Sequence, residues 1–180
     1  QWSLRDAHDS IAVTMAYLAA YNAKKAGVRN YVSQFMFNTP PETWPNMDIA
    51  KMMAKMEMIQ QLEDETFTVY REGRAGIAHF SADPHIAKGQ LAASALISLV
   101  MKPHILHVVG FSEGDHATGY EELIESCKIV HGVLQNGLKG LPDFMTDTLI
   151  QDRKEKLKSD SGLILDALSF IGAHVADPFS

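Results

Sequence analysis

The 180-residue chain predicts an α/β fold in which short parallel strands alternate with amphipathic helices. Three observations carry that prediction. Apolar residues recur at helical spacing in five separate stretches. Between the first four of these lie three short aromatic and β-branched runs, residues 31–38, 67–76 and 104–111. Each run is followed by proline, glycine or a helix-capping residue, and strand–helix alternation of this kind folds as a parallel sheet with right-handed crossovers.

The elements follow in order. Ser3 with Asp6 has the form of a capping box, and Leu4, Ala7, Ile11, Met15, Leu18 and Ala19 form a stripe behind it. A helix is predicted over about 4–26, stopped by Gly27. "YVSQFMFN" is the first strand, closed by the prolines of "TPPETWPN". In "MDIAKMMAKMEMIQQLED", Ile49, Met52, Met53, Met56, Ile59 and Leu62 make one apolar face, with Lys51, Lys55, Glu57 and Gln61 outside. The methionines are core filler. "FTVYREGRAG" starts as a strand and passes into a glycine-containing loop. Asp83 caps a helix with Pro84 in its first position, and the helix runs to about Lys102-Pro103. "HILHVVGF" is apolar almost throughout, as in a parallel strand covered on both faces. Thr118 and Glu121 read as a second capping box, followed by Leu123, Ile124, Cys127, Val130, Leu134 and Leu138. A last helix spans about 145–172, with "QDRKEKLKSD" as its solvated face.

Residues 1–180 thus read as one α/β domain with a helical segment at about 145–172. Three parallel strands cannot close a barrel. The sheet is either a small doubly wound one or the later part of an eight-stranded (β/α) barrel; the abrupt start at Gln1 and the stop at "ADPFS" favour the barrel piece. The net charge is −6, with no basic stripe, which argues against nucleic acid as a partner. No apolar stretch approaches the roughly 20 residues that span a bilayer. A single cysteine, Cys127, on an apolar helix face, excludes an internal disulfide framework and fits a cytoplasmic location.

Ligands of parallel α/β folds gather at the carboxyl ends of the strands. Gln34, Asn38, Thr39 and Trp44 follow the first strand; Arg71, Glu72, Arg74, His79 and Asp83 the second; Ser112, Glu113, Asp115 and His116 the third. Asp115 either caps a helix or meets a ligand. His116, beside a helix N-terminus, is expected to be neutral. Glu113 is either a general base or the ion-pair partner of Arg71 or Arg74. The two arginines, on one glycine-flanked loop, either clamp a carboxylate or phosphate or form a structural network. His104 and His107 are expected to be buried or satisfied. No nucleotide loop, nucleophile elbow or zinc spacing occurs.

The stretches "FMFNTPPETWPNMDIAKMMAKMEMIQQLED", "REGRAGIAHFSADPHIAKGQLAAS" and "GFSEGDHATGYEELIESCKIVHGVLQN" resemble the later strand–helix units of a cobalamin-dependent mutase catalytic subunit. The nearest type is the large subunit of methylaspartate (glutamate) mutase, with the ornithine and lysine aminomutases as cousins. The resemblance implies a TIM barrel whose mouth receives the corrin face of adenosylcobalamin, with a separate cobalamin-binding chain or domain and an oligomeric assembly. "GDHATG" does not have the spacing of a cobalt-ligating DxHxxG motif. The implied chemistry is radical rearrangement of an amino or carboxylic acid. On this resemblance Arg71, Arg74, Gln34 and Asn38 bind substrate, Glu113, Asp115 and His116 take catalytic roles, and Ser112 and His79 meet the cofactor. Two other readings are a corrinoid-dependent methyltransferase barrel and a non-catalytic α/β scaffold.

Overall fold

Three strands, β1 (Asn30–Phe37), β2 (Thr68–Ala75) and β3 (Ile105–His107), form a fully parallel sheet in the order β1-β2-β3. They organise a computed structural model that describes residues 7–38, 43–141 and 143–179. β1 and β2 pair along their whole length, from Asn30 opposite Thr68 to Phe37 opposite Ala75. β3 pairs only through Ile105, Leu106 and His107, opposite Glu72, Gly73 and Arg74. Five helices complete the described fold: α1 (Asp9–Lys25), α2 (Pro45–Gln60), α3 (Pro84–Ser98), α4 (Tyr120–Gly137) and α5 (Thr148–Ile171).

Side chains alternate across a strand, so odd and even positions of β1 and β2 belong to opposite faces. The odd face is the core. Phe35 and Phe37 pack against Ile49, Met52 and Met53 of α2. Tyr31 and Val69 pack with Ala20 of α1 and Ile59 of α2. Ala75 and Leu106 pack with Leu91 and Ala95 of α3, which Val130 of α4 covers in turn. Each large apolar side chain taken from water here contributes about 1.5–3 kcal/mol. At Gly73 the helix comes so close that an added Cβ would lie 3.1 Å from the Ser98 Cβ. All five helices lie on this side. The even face carries no helix: Val32, Tyr70 and Ile105 are 45%, 37% and 41% exposed.

Two expectations about the strands are therefore corrected. β3 is not covered on both faces, and residues 108–111 leave the sheet so that Val109 and Phe111 enter the α3–α4 core. β2 does not give way to a loop at Arg71; pairing with β1 holds it extended to Ala75.

The helices show a similar mixture. Asp83 caps α3 as expected, accepting from His85 N at 2.8 Å with Pro84 behind it. α3 ends at Ser98, and a short 3₁₀ turn leads to Lys102 in the left-handed region. Gly27, at φ +83°, closes the end of α1. The Ser3–Asp6 box lies outside the described residues. α1 buries Ser10, Val13, Thr14 and Ala20, whereas Ile11 and Met15 are 39% and 43% exposed. The reason is α5, which crosses α1 over small residues, with Ser161 Oγ donating to the Ser10 carbonyl at 3.1 Å. α2 lies between the sheet and α5, so its polar side is enclosed as well. Lys51, expected outside, is 2% exposed. α5 is continuous through Gly162, and its lysine-rich side is only partly solvated, because Lys154 and Lys158 reach Glu57 of α2 at 3.0 and 2.6 Å. No described helix is long and apolar enough to cross a membrane.

A buried charged chain ties these layers together. Arg153 of α5 and Lys51 of α2 both meet Asp9 of α1 at 3.3 Å. Lys51 also faces Asp48 at 3.5 Å, and Asp48 Oδ2 accepts from the backbone N–H of Asn38. The other Asp48 oxygen, which faces Lys51, has no hydrogen bond among the described residues, and burial pushes the carboxyl up to about 6, against the pull of Lys51 and the Asn38 N–H. Between about pH 4, the ordinary carboxyl range, and about pH 6, the folded carboxyl holds a proton that the unfolded chain has lost, so this group weakens the fold as pH rises through that window. Lys51→Met strands Asp48 and leaves Asp9 to Arg153 alone, and is expected to cost about 3–5 kcal/mol in urea unfolding near neutral pH. The deficit should shrink at pH 5, where Asp48 is neutral; an equal deficit at both values would contradict the network.

Candidate functional site

The even face of the sheet brings together groups from all three strands. Gln34 of β1 donates through Nε2 to Glu72 Oε1 of β2 at 2.9 Å. The same oxygen faces Nδ1 of His107 of β3 at 3.2 Å. Arg74 is the register partner of His107 and shares this face. The row runs across the sheet, with Glu72 sheltered at 17% side-chain exposure and His107 open at 46%. Val32, Met36, Tyr70 and Ile105 flank it with apolar surface.

The arginines part company here. Three residues apart in a strand, Arg71 and Arg74 point to opposite faces, which corrects the expectation of one shared loop. Arg71 is occupied on the helix side, where its Nε reaches the Met101 carbonyl at 2.9 Å and its Nη2 the Lys102 carbonyl at 3.0 Å. It closes the turn that leads into β3. Among the described residues Arg74 makes one long contact, from Nε to the Ala75 carbonyl at 3.4 Å.

A second polar group lies at the carboxyl end of β3. Residues 111–114 form a 3₁₀ turn, and Glu113 Oε1 accepts from Gly110 N at 2.7 Å. Glu113 is a cap, paired with neither arginine. Gly119, not Thr118, caps α4, and Glu122 rather than Glu121 completes the box by accepting from Gly119 N at 2.8 Å. Thr118 instead meets Ser112 Oγ at 2.9 Å, and Ser112 donates to Glu122 at 3.0 Å. His116 lies between Asp115 and Glu122, with each ring nitrogen 3.0 Å from a carboxylate oxygen. Asp115 first, then Glu122, hold its pKa above the ordinary histidine value. The helix N-terminus was expected to keep the ring neutral; two carboxylates in contact outweigh it. Glu122 is in turn lowered, by the Gly119 N–H and then His116.

The remaining candidates are used locally. Asn38, at φ 55°, turns the chain from β1 to α2 and donates through Nδ2 to Ser94 Oγ of α3 at 2.7 Å. His79 places Nδ1 against the Gly76 carbonyl, which fixes the proton there and leaves Nε2 a buried acceptor with no partner among the described residues. Burial lowers its pKa. The turns after β2 and β3 touch, since a Cβ on Gly114 would lie 2.7 Å from the Phe80 Cβ. The strand ends do converge, yet no hydrogen bond or ion pair among the described residues joins the Ser112–Glu122 group to the Gln34–Glu72–His107 row. Cys127, expected on a core face, is exposed. Thr39 lies outside the described residues. A cleft of about 360 Å³ between α2, α3 and α5 is lined by Trp44, Ile49, Ile97, Phe144 and Ile150. It lies on the helix side, and its one carboxylate, Asp147, is committed to capping α5.

No protein-family model matches the chain, and no curated protein matches it. No cluster of three or more potential metal ligands occurs among the described residues. The open sheet face is the candidate site, because it gathers a carboxylate, an imidazole, an amide and a guanidinium with exposed surface around them. Glu72 stood in the sequence among the polar residues of the second strand, whereas His107 was expected only to be buried or satisfied; their meeting comes from the register between strands.

Because His116 is raised, its hold on Asp115 and Glu122 is complete below about pH 6.5 and is lost as pH rises through the folded value. Amide exchange at Gly119, whose N–H Glu122 accepts, is expected to lose protection, beyond the intrinsic rate, as pH rises above 6.5 and through the folded value of His116. His116→Gln should show no such loss; the same pH response in the variant would exclude the imidazole as its source.

Proposed function

We propose that these strands are an arc of a larger (β/α) barrel, that the open face is its inner wall, and that the complete barrel is the catalytic part of a cobalamin-dependent mutase acting on an amino or carboxylic acid. One observation carries the barrel reading. The strands follow one another in a single direction with every helix on one side, whereas a doubly wound sheet reverses its order and covers both faces. Inner walls of barrels are lined by alternate residues of each strand, as Gln34, Glu72, Arg74 and His107 are here. The cobalamin reading is supported by the resemblance of the three quoted stretches.

The fit to a corrin is confined to the rim. Ser112 is 6% exposed and bonded on both sides, and the free nitrogen of His79 is sealed in. Asp115 and His116, each 55% exposed at the side chain, are the groups able to meet the amide-bearing edge of a corrin. When bound, the cofactor supplies homolysis of a cobalt–carbon bond. Arg74 holds the acid group of the substrate, Glu72 accepts from an amine, and the apolar flanks of the face exclude water. Arg71 keeps β3 in register.

The test is a visible-absorption titration of adenosylcobalamin into the polypeptide containing these residues, with its candidate cobalamin-binding partner. A spectral change that needs both chains is expected, and none in any combination would end the cofactor reading. Arg74→Ala should raise the apparent substrate constant roughly 10- to 100-fold, as loss of a charge-assisted hydrogen bond does. Arg71→Ala should act on stability instead.

A further inference from the structure

We propose that His107 is a proton acceptor locked in one tautomer, its Nδ1–H tied to Glu72 and its Nε2 free on the open face to take a proton from an amine or hydroxyl. An ionised carboxylate only accepts hydrogen bonds, so the ring nitrogen facing Glu72 Oε1 at 3.2 Å carries the proton in the neutral imidazole. The second nitrogen is then a lone-pair acceptor. Glu72 is itself held. Gln34 donates to the same oxygen at 2.9 Å from the neighbouring strand, so the carboxylate cannot swing away from the ring without losing that bond. The arrangement uses one residue from each strand, and only the sheet's register creates it.

The charged groups that face His107 are Glu72 and Arg74, both of β2. Gln34 is neutral, and α3 and α4 pack on the other face. In the transfer, the N–H or O–H bond of the substrate breaks and an Nε2–H bond forms. The electron pair stays on the substrate atom, and the resulting imidazolium is balanced by the Glu72 carboxylate. Arg74, beside His107 in the register, offers a positive anchor for an acid group on the same molecule. Such a site takes a small molecule carrying an anionic group and, a few ångströms away, an ionisable amine or hydroxyl.

The inference rests on the open face being the site, as proposed above, but does not depend on cobalamin; a failed cobalamin titration alone would leave it standing. Nitrogen-15 NMR of the chain, above the pH at which the ring titrates, reads the tautomer directly. The expected wild-type result is Nδ1–H with an unprotonated Nε2 at His107. Glu72→Ala should move the tautomer ratio toward Nε2–H by roughly tenfold or more, the factor set by a hydrogen bond to a charged group. Wild-type His107 protonated at Nε2 overturns the lock, whatever the variant does. Lactate, with one carboxylate and one hydroxyl, is the binding probe, and is expected to shift His107 Nε2 and the Arg74 guanidinium together. A locked tautomer with no joint shift overturns the proton-accepting role.

Discussion

Parallel strands added one after another in the same direction, each returning by a right-handed crossover, must carry all their helices on one side. That constraint shapes everything else in this chain. It places Phe35, Phe37, Val69 and Ala75 in a helix-covered core and turns their neighbours toward open space. Parallel sheets are ordinarily covered on both faces, because their strands are strongly apolar. Here the uncovered side alternates apolar Val32, Met36, Tyr70 and Ile105 with polar Gln34, Glu72, Arg74 and His107. Mixed surface of this composition suits a lining that meets both protein and ligand, and the site follows from the winding.

The helix side is braced differently. Packing of α2 against the sheet leaves its polar half facing α1 and α5, where Asp48, Lys51 and Glu57 are paired instead of solvated. Asp9, Lys51, Asp48 and Arg153 link three helices, and Asp48 reaches on to Asn38 at the exit of β1. The left-handed turn at the end of β1 is thus coupled to the helix layer. Asn38 adds a bond to Ser94 on α3, so the first strand end is fixed from two sides. Residues that looked like ligand candidates in sequence are here the joints between layers.

What was legible in the sequence was punctuation and stripe. Asp83-Pro84, Gly27 and the apolar face of α2 each have a local cause, and each was readable from a few neighbouring residues. Partners far along the chain were not. Ile11 and Met15 look like core residues, but the approach of α5 selects the small side of α1 instead. Lys51 looks solvated until a second helix layer covers it. Arg71 and Arg74 look paired in a loop, yet extension of β2 by eight residues of pairing separates them across the sheet. The capping box of α4 moves by one residue, from Thr118 and Glu121 to Gly119 and Glu122, and Glu113 is spent on the Gly110 N–H where a base or an arginine partner was expected; side-chain geometry decides both. The His107–Glu72–Gln34 row depends on register between strands that lie over 30 residues apart, so no local pattern reveals it.

The crossing of α1 by α5 also bears on how the chain reaches this state. Ser161 and Ser10 are 151 positions apart, and the charged link from Arg153 to Asp9 spans 144. Strand–helix units can condense early from nearby contacts, whereas this closure must await the last helix and bears the larger entropic penalty. During synthesis α1 leaves the ribosome long before α5 exists, and the cluster around Val13 lacks Leu157 for that interval. The step that seals the helix layer is thereby the natural bottleneck of assembly.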